Sequence, residues 1–477
     1  SPPGLACSDP PTAPADGCIR GRAKVERQAV SSVRSEGHFC RMSISSLFRR
    51  DYLHKFVSVL RRDGAREALR RAAYYAGVIA FGRGRSVFGE AGHVSHHYAA
   101  FWRTLVTEDA FFISRKPAED RKSRRIALIG DLNLPQCRRY RVEQLKELWA
   151  LSGVELDFSH FEDVPHATDL LQTATHAIFY RVPQCPIVSA YFYEAHRLGV
   201  PVMYDIDDPL FSVSAYGTYG NAEAFGEGMR DHFISLAPLY ASAMNACDIV
   251  TVSTPALRNH AKLFCNRPVY LRRNFADRDS LEHGRMALER IGTEGRERRP
   301  FTVAFASGSQ GHEVDLATML PELVRFLLAA PDRRLLVLGH FDIERLPQEI
   351  AQRTETRPFL GYDAYLDALA SADCAILPLG DDLFNRCKSG VRVIDAASVG
   401  IPSIVSNIGD APTLIEPGKT GIVAGPGQWL EALETLAADR KATAEMGRAA
   451  RRALEESWSA RMAPPIIDPE VRDWVLR

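Results

Sequence analysis

From residue 125 onward, short runs of β-branched and aromatic residues alternate with stretches of helical spacing, and the scheme restarts at residue 301. The first block predicts strands at Arg125 to Gly130, Val154 to Ser159, His176 to Arg181, Pro201 to Asp207, Asp248 to Thr254 and Val269 to Asn274. Helices such as Tyr140 to Ser152 and Ile187 to Leu198 fall between them. The second block predicts strands at Phe301 to Gly308, Arg334 to Gly339, Arg357 to Gly361, Cys374 to Leu379, Pro402 to Asn407 and Gly421 to Ala424. Strand and helix in alternation mean parallel sheets covered by helices. The fold class is therefore α/β, with two Rossmann-like doubly wound domains, 124–276 and 301–445, facing each other across a cleft. Ligands of such sheets sit beyond the carboxyl ends of the strands, so function is expected there. The polar, charge-dense stretch 277–300 reads as a linker or an exposed helix, and 446–477 as a carboxy-terminal helix crossing back to the first domain.

The chain ahead of the first strand has a different pattern. Residues 1–41 are rich in Pro, Ser, Ala and Gly without periodicity and are expected to be disordered. Residues 42–123 form a basic helical extension: Phe48, Leu53, Phe56, Val57 and Leu60 recur at helical spacing among Arg49, Arg50, Lys55, Arg61 and Arg62. Between positions 41 and 125 stand 18 Lys and Arg against 8 Asp and Glu. Residues 42–82 suit an anionic membrane surface, or equally a helical hairpin packed on the main body, because periodicity does not identify what an apolar face touches.

Composition narrows the class. The whole chain balances 59 basic against 59 acidic residues, which leaves no surplus for nonspecific nucleic-acid binding. Nine scattered cysteines without a C-x-x-C pair fit a reduced, cytoplasmic protein. No apolar run reaches the roughly 18 residues of a membrane span, nothing resembles a signal peptide, and Met42 is a candidate start. The expected location is cytoplasmic, peripheral at the inner face of the plasma membrane if the extension binds lipid.

Candidate chemistry clusters at three places. The turn Ser307-Gly308-Ser309-Gln310-Gly311-His312 precedes a helical pattern from Glu313. Small residues at such a turn let backbone amides approach an anion, or serve the turn itself with His312 as a helix-capping or packed histidine; neither the dinucleotide fingerprint nor the P-loop is present. Next, in a helix beginning near Ser389, Lys388, Arg392 and Asp395 can line one face, a pattern that suits a diphosphate and ribose hydroxyls, or else a surface helix with an Arg392/Asp395 pair. Thirdly, Asp205, Asp207 and Asp208 end the fourth strand. They read as acid/base or acceptor-anchoring groups, as a metal-bridging D-x-D pair, as an aspartyl phosphatase nucleophile, or as a strand-end cap. Pro209 and the strand's place in the order weigh against the phosphatase. Arg139, Tyr140 and Arg141 at a helix start suit an anionic acceptor, or stand solvated.

The run Val391 to Ile415, with Gly400-Ile401-Pro402 and Asn407-Ile408-Gly409-Asp410, resembles the donor-nucleotide segment of GT-B glycosyltransferases. It is most similar to the retaining group 1 (family 4-like) enzymes, while Ser307-Gly308-Ser309 with His312 and Asp315, then Lys388-Ser389 and Arg392, resemble a divergent branch associated with bacterial surface polysaccharides. Phe359-Leu360-Gly361 and Glu416-Pro417-Gly418-Lys419-Thr420-Gly421 stand where that family contacts the base and forms its last loop. The resemblance spans roughly Ile126 to Trp458. It implies a UDP- or GDP-linked donor held by Gly308, Ser309, His312, Leu360, Gly361, Lys388, Ser389, Arg392 and Asp395, with no metal and no other cofactor. It also implies catalysis by Asp205, Asp207 or Asp208, and a glycan or lipid-linked acceptor near Arg139, Tyr140 and Arg141. Where the family carries two glutamates separated by seven residues, this chain has Cys387 and Asp395. A nucleotide-sugar epimerase of the same architecture and a noncatalytic glycan- or nucleotide-binding protein are the alternatives. If the extension binds lipid, deleting residues 41–125 will release the protein from anionic liposomes in a flotation assay while turnover of a soluble acceptor persists; unchanged flotation contradicts that role.

Overall fold

The computed structural model describes residues 123–224, 227–291, 299–308, 312–461 and 466–477, with scattered positions between 57 and 73. The chain divides into two compact units, 1–83 and 84–477. In the first, the described positions after Gly64 are helical, and Ala68 is buried with its N–H donating to the Gly64 carbonyl at 3.1 Å. The expected disordered stretch 1–41 and most of the basic extension lie outside the described residues.

The second unit carries two six-stranded parallel sheets. The first orders its strands β2-β1-β3-β4-β5-β6, from β1 (Arg125–Gly130), β2 (Glu155–His160), β3 (His176–Tyr180), β4 (Val202–Ile206), β5 (Ile249–Val252) and β6 (Val269–Leu271). The other runs β12-β11-β10-β7-β8-β9, from β7 (Phe301–Gly308), β8 (Arg333–Gly339), β9 (Thr354–Arg357), β10 (Cys374–Leu377), β11 (Ser403–Ser406) and β12 (Gly421–Ala424). The central strands β3, β4, β5 and β10 are buried at every position, which is why they read as continuous apolar runs. Two strands depart from the sequence pattern. β9 ends at Arg357 rather than beginning there, because this edge strand, Thr-Glu-Thr-Arg, is half-exposed and has no apolar run to mark it. β6 stops at Leu271; Arg272 then turns inward to Asp205, while Arg273 and Asn274 reach Thr413 and Ser389 of the second domain.

Five helices shape that cleft: α1 (Gln144–Ala150), α2 (Arg278–Ile291), α3 (Glu313–Ala317), α4 (Val391–Ser398) and α5 (Arg440–Ser457). Of the two readings of 277–300, linker or exposed helix, the structure has helix over Arg278–Ile291, where Leu281, Gly284, Leu288 and Ile291 form a helical stripe in α2. α4 is clamped at its carboxyl end by two glycines. A methyl group on Gly284 of α2 would fall inside contact distance of the Ser398 carbonyl, and one on Gly447 of α5 would strike the Gly400 carbonyl. Beyond α5 the chain returns to the first domain, bridging Ala276 to Ser459 and Arg272 to Ile467. There Ala460, Ile466, Ile467, Val471 and Val475 complete the core around Ile126, Leu128 and Trp149.

Because the glycine clamp meets backbone, it has little room to yield. Gly447→Ala is expected to lower the unfolding free energy by about 1–3 kcal/mol in urea titration; an unchanged midpoint contradicts the clamp.

Candidate active site

At the carboxyl edge of the first sheet, a π-helical turn, Arg139–Glu143, leads into α1 and sends adjacent side chains in different directions. Arg141 points into the domain. It has no exposed surface, and its Nη2 and Nε donate to Asp205 Oδ1 and Oδ2 at 2.6 and 3.1 Å. Arg272 Nη2 adds a 2.8 Å bond to Asp205, and Thr251 Oγ1 another at 2.7 Å. Burial alone would raise the Asp205 carboxyl, but the two guanidinia outweigh it and hold the group below the usual carboxylate range. Asp205 and Arg141 are thus an internal ion cluster, which corrects their expected places among the reacting acids and the acceptor contacts. Arg139 is also engaged, through Asp277 at 2.7 Å and the face of Tyr362 at 5.0 Å, rather than being open to an acceptor.

Asp207 and Asp208 lie past the end of β4 and do reach the cleft. Asp207 accepts from the Tyr180 hydroxyl at 3.2 Å and from Arg181 Nη1 at 3.2 Å; the same Nη1 reaches Asp208 at 3.3 Å. Among the described residues, Arg181 is the one non-glycine with positive φ, at 50°, a strained conformation of the kind that clusters at functional sites. Asp208 is pushed up by burial and by the neighbouring Asp207 charge, against the pull of Arg181 and Lys388.

The second sheet presents the facing groups. β7 ends at Gly308 with φ of 77° and its carbonyl bonded to the His340 N–H at 2.8 Å, while Ser309 lies outside the described residues. His312 follows at the start of α3, its N–H on Ser307 Oγ at 3.1 Å and its Nδ1 against Asp315 Oδ2 at 2.9 Å. Lys388 Nζ donates to the Tyr219 hydroxyl at 2.9 Å. α4 begins at Val391, two residues later than the spacing suggested, with Gly390 as its cap. Ser389 Oγ accepts from Asn274 Nδ2 at 2.8 Å, and Asn274 Oδ1 accepts from Arg141 Nη1 at 3.0 Å, joining the Asp205 cluster to the cleft. Arg392 leaves its buried Nη1 without a hydrogen-bond partner.

Asp395 departs most from expectation. Neither paired with Arg392 nor open to a ribose, it is 2% exposed and ringed by tyrosines. The hydroxyls of Tyr140, Tyr362 and Tyr365 donate to it at 2.6, 3.1 and 3.3 Å. Tyr140, expected at the acceptor, therefore latches the first domain to the second. Leu360 and Gly361 stand at the start of the helix Tyr362–Ala370 that supplies the other two tyrosines. Cys387, at the position of the missing glutamate, packs with Phe384 into the first domain's core, and its carbonyl accepts from Thr254 Oγ1 at 2.9 Å. Burial, then Asp208 and Asp382, push its thiol up to about 12.

Tyr180, Arg181, Tyr219, Tyr362 and Tyr365, together with Asn221, whose Nδ2 donates to Asp315 Oδ2 at 2.7 Å, were not singled out by sequence. Their roles come from contacts across the fold, for which the local sequence carries no signal.

Burial pushes the Asp395 carboxyl from 3.8 up to about 6, with the tyrosine hydroxyls opposing it. A raised value in the folded state means stability that is full below the ordinary value and lost as pH rises through the folded one. The unfolding free energy of the parent is expected to fall between pH 4 and 7 by on the order of 2–3 kcal/mol more than that of Asp395→Asn. Parallel curves in denaturant titrations across that range contradict the assignment.

Residues 301–439 match the family described as glycosyl transferases group 1. A D-inositol 3-phosphate glycosyltransferase of Paenarthrobacter aurescens is 32% identical over 83 residues, which is 17% of this chain and 19% of that relative. The chain is also similar to a sucrose-phosphate synthase from Thermosynechococcus elongatus, at 14% identity and a TM-score of 0.49 over 74% of this chain and 99% of that one. Anabaena HepE, solved in complex with UDP-glucose, has 14% identity and a TM-score of 0.46 over 73% and 99%. The fold itself stands on the strand order, two parallel sheets meeting at their carboxyl edges. The chain therefore carries a group 1 glycosyltransferase domain at 301–439, set behind a second Rossmann-like domain in the GT-B architecture.

Proposed function

We propose that this chain transfers a hexose-like unit from a UDP- or GDP-linked donor to a hydroxyl of a glycan or lipid-linked acceptor, in surface polysaccharide or glycolipid synthesis at the cytoplasmic face of the plasma membrane. The observation that carries the reading is a pair of cations that form no ion pair among the described residues. Lys388 donates to the Tyr219 phenol and lies over the Tyr219 and Phe384 rings, with Asp208 and Asp315 acting on it only at longer range, and Arg392 keeps a buried Nη1 unpartnered beside the start of the eight-residue α4. A diphosphate supplies the missing anion.

The anomeric C–O bond to the diphosphate breaks and its electron pair goes to the departing oxygen, where Lys388 and Arg392 stabilise the growing charge. The acceptor hydroxyl bonds to the anomeric carbon from the same face, and its proton passes to the departing phosphate oxygen, which retains configuration. Asp208, facing Lys388, anchors the acceptor hydroxyl. The acids that a bridging metal would use are divided between Arg141 and Arg272 on one side and Arg181 on the other, which supports a metal-independent reaction. With regard to location, no helix among the described residues is long and apolar enough to cross a membrane.

Calorimetry with UDP and GDP tests the reading. Lys388→Ala and Arg392→Ala are each expected to weaken nucleoside diphosphate binding about tenfold or more, while Asp208→Asn keeps that affinity and loses transfer. Absence of binding by the parent, or undiminished binding in both cation variants, overturns it.

A further inference from the structure

Asp315, buried in α3, is a saturated carboxylate. Its Oδ1 accepts from the Gly380 N–H at 2.9 Å and Asn385 Nδ2 at 2.8 Å; its Oδ2 accepts from Asn221 Nδ2 at 2.7 Å and His312 Nδ1 at 2.9 Å. Four donors on about four lone-pair sites leave no room for a proton. Burial works against the charge, yet the bond from His312, the Lys388 charge and the Gly380 amide outweigh it and hold the group well below the usual carboxylate range.

An ionised carboxylate only accepts, so His312 Nδ1 carries the hydrogen. Burial, followed by the charges of Lys388 and Arg392, pushes the ring down to about 3 and keeps it neutral. Nε2 is then a bare lone pair, and it has no hydrogen-bond partner among the described residues. Beside two cations suited to a diphosphate, this atom is the wrong kind for phosphate, since acceptor would face acceptor. A hydroxyl fits it.

We propose that His312 reads the transferred sugar: its Nε2 accepts a hydrogen from a donor-sugar hydroxyl while Lys388 and Arg392 hold the diphosphate, with Asp315 and Asn221 as positioning residues that fix the tautomer. This rests on the donor reading above. Asn221 belongs to the 3-10 segment Gly220–Ala224 of the first domain, so the acceptor state of the ring is completed from across the cleft. The hydroxyl is read by a site that exists only with the domains together.

Calorimetry comparing each nucleoside diphosphate with its hexose conjugate separates this from the donor reading. In His312→Ala, affinity for UDP or GDP is expected to stay within twofold, while affinity for the corresponding nucleotide sugar falls about tenfold. His312→Gln, whose side-chain oxygen can accept, recovers part of the loss. Asp315→Asn, whose amide donates to Nδ1 and turns Nε2 into a donor, shows the same sugar-specific loss; if that variant does not fold, the His312 pair decides. Equal losses for diphosphate and nucleotide sugar make His312 a phosphate ligand and overturn the proposal, as does no loss for either. A parent that binds no nucleoside diphosphate overturns the donor reading instead.

Discussion

Charge placed where two parallel sheets end must be answered, and who answers each group decides what this cleft can bind. Asp205 is answered by Arg141 and Arg272, Asp207 and Asp208 by Arg181, Asp395 by three tyrosines, and Asp315 by four N–H donors. Among the described residues, Lys388 and Arg392 form no ion pair with a carboxylate, and Asp208 and Asp315 act on Lys388 only at longer range. A cation taken out of bulk water without a counter-charge is costly, and an arriving anion relieves that cost. Anion affinity here follows from the pairing pattern more than from any single residue.

The same pairing stitches the domains. Tyr140 to Asp395, Asn221 to Asp315, Asn274 to Ser389 and Thr254 to the Cys387 carbonyl all cross the cleft. Arg273 adds an ion pair to Asp410 while lying over Trp458 at 4.7 Å. Cys387 explains one departure from the family pattern in physical terms. A carboxylate there would sit in the first domain's apolar core, and the thiol fills that space without bringing a charge into it.

The sheets were legible because parallel strands buried on both faces become unbroken apolar runs. β9 was not, since its edge position asks for no such run. Within the site, the relations that could be read were local. Lys388 and Arg392 lie one turn apart, and His312 follows a strand end. Asp395 was misread because its partner Tyr140 stands 255 positions away. Asp205 and Asp207 share a spacing that suggests a common side, yet β4 ends at Ile206, leaving one in the sheet and turning the other out. Nothing in the residues around Arg181 announces its positive φ or its reach to Asp207 and Asp208.

A crystal structure with a UDP- or GDP-hexose bound tests the central claim most directly. The account predicts the diphosphate within hydrogen-bond distance of Lys388 Nζ and Arg392 Nη1, with Lys388 drawn from Tyr219 toward phosphate. A diphosphate seated away from both cations, with the lysine still on the phenol, would contradict it.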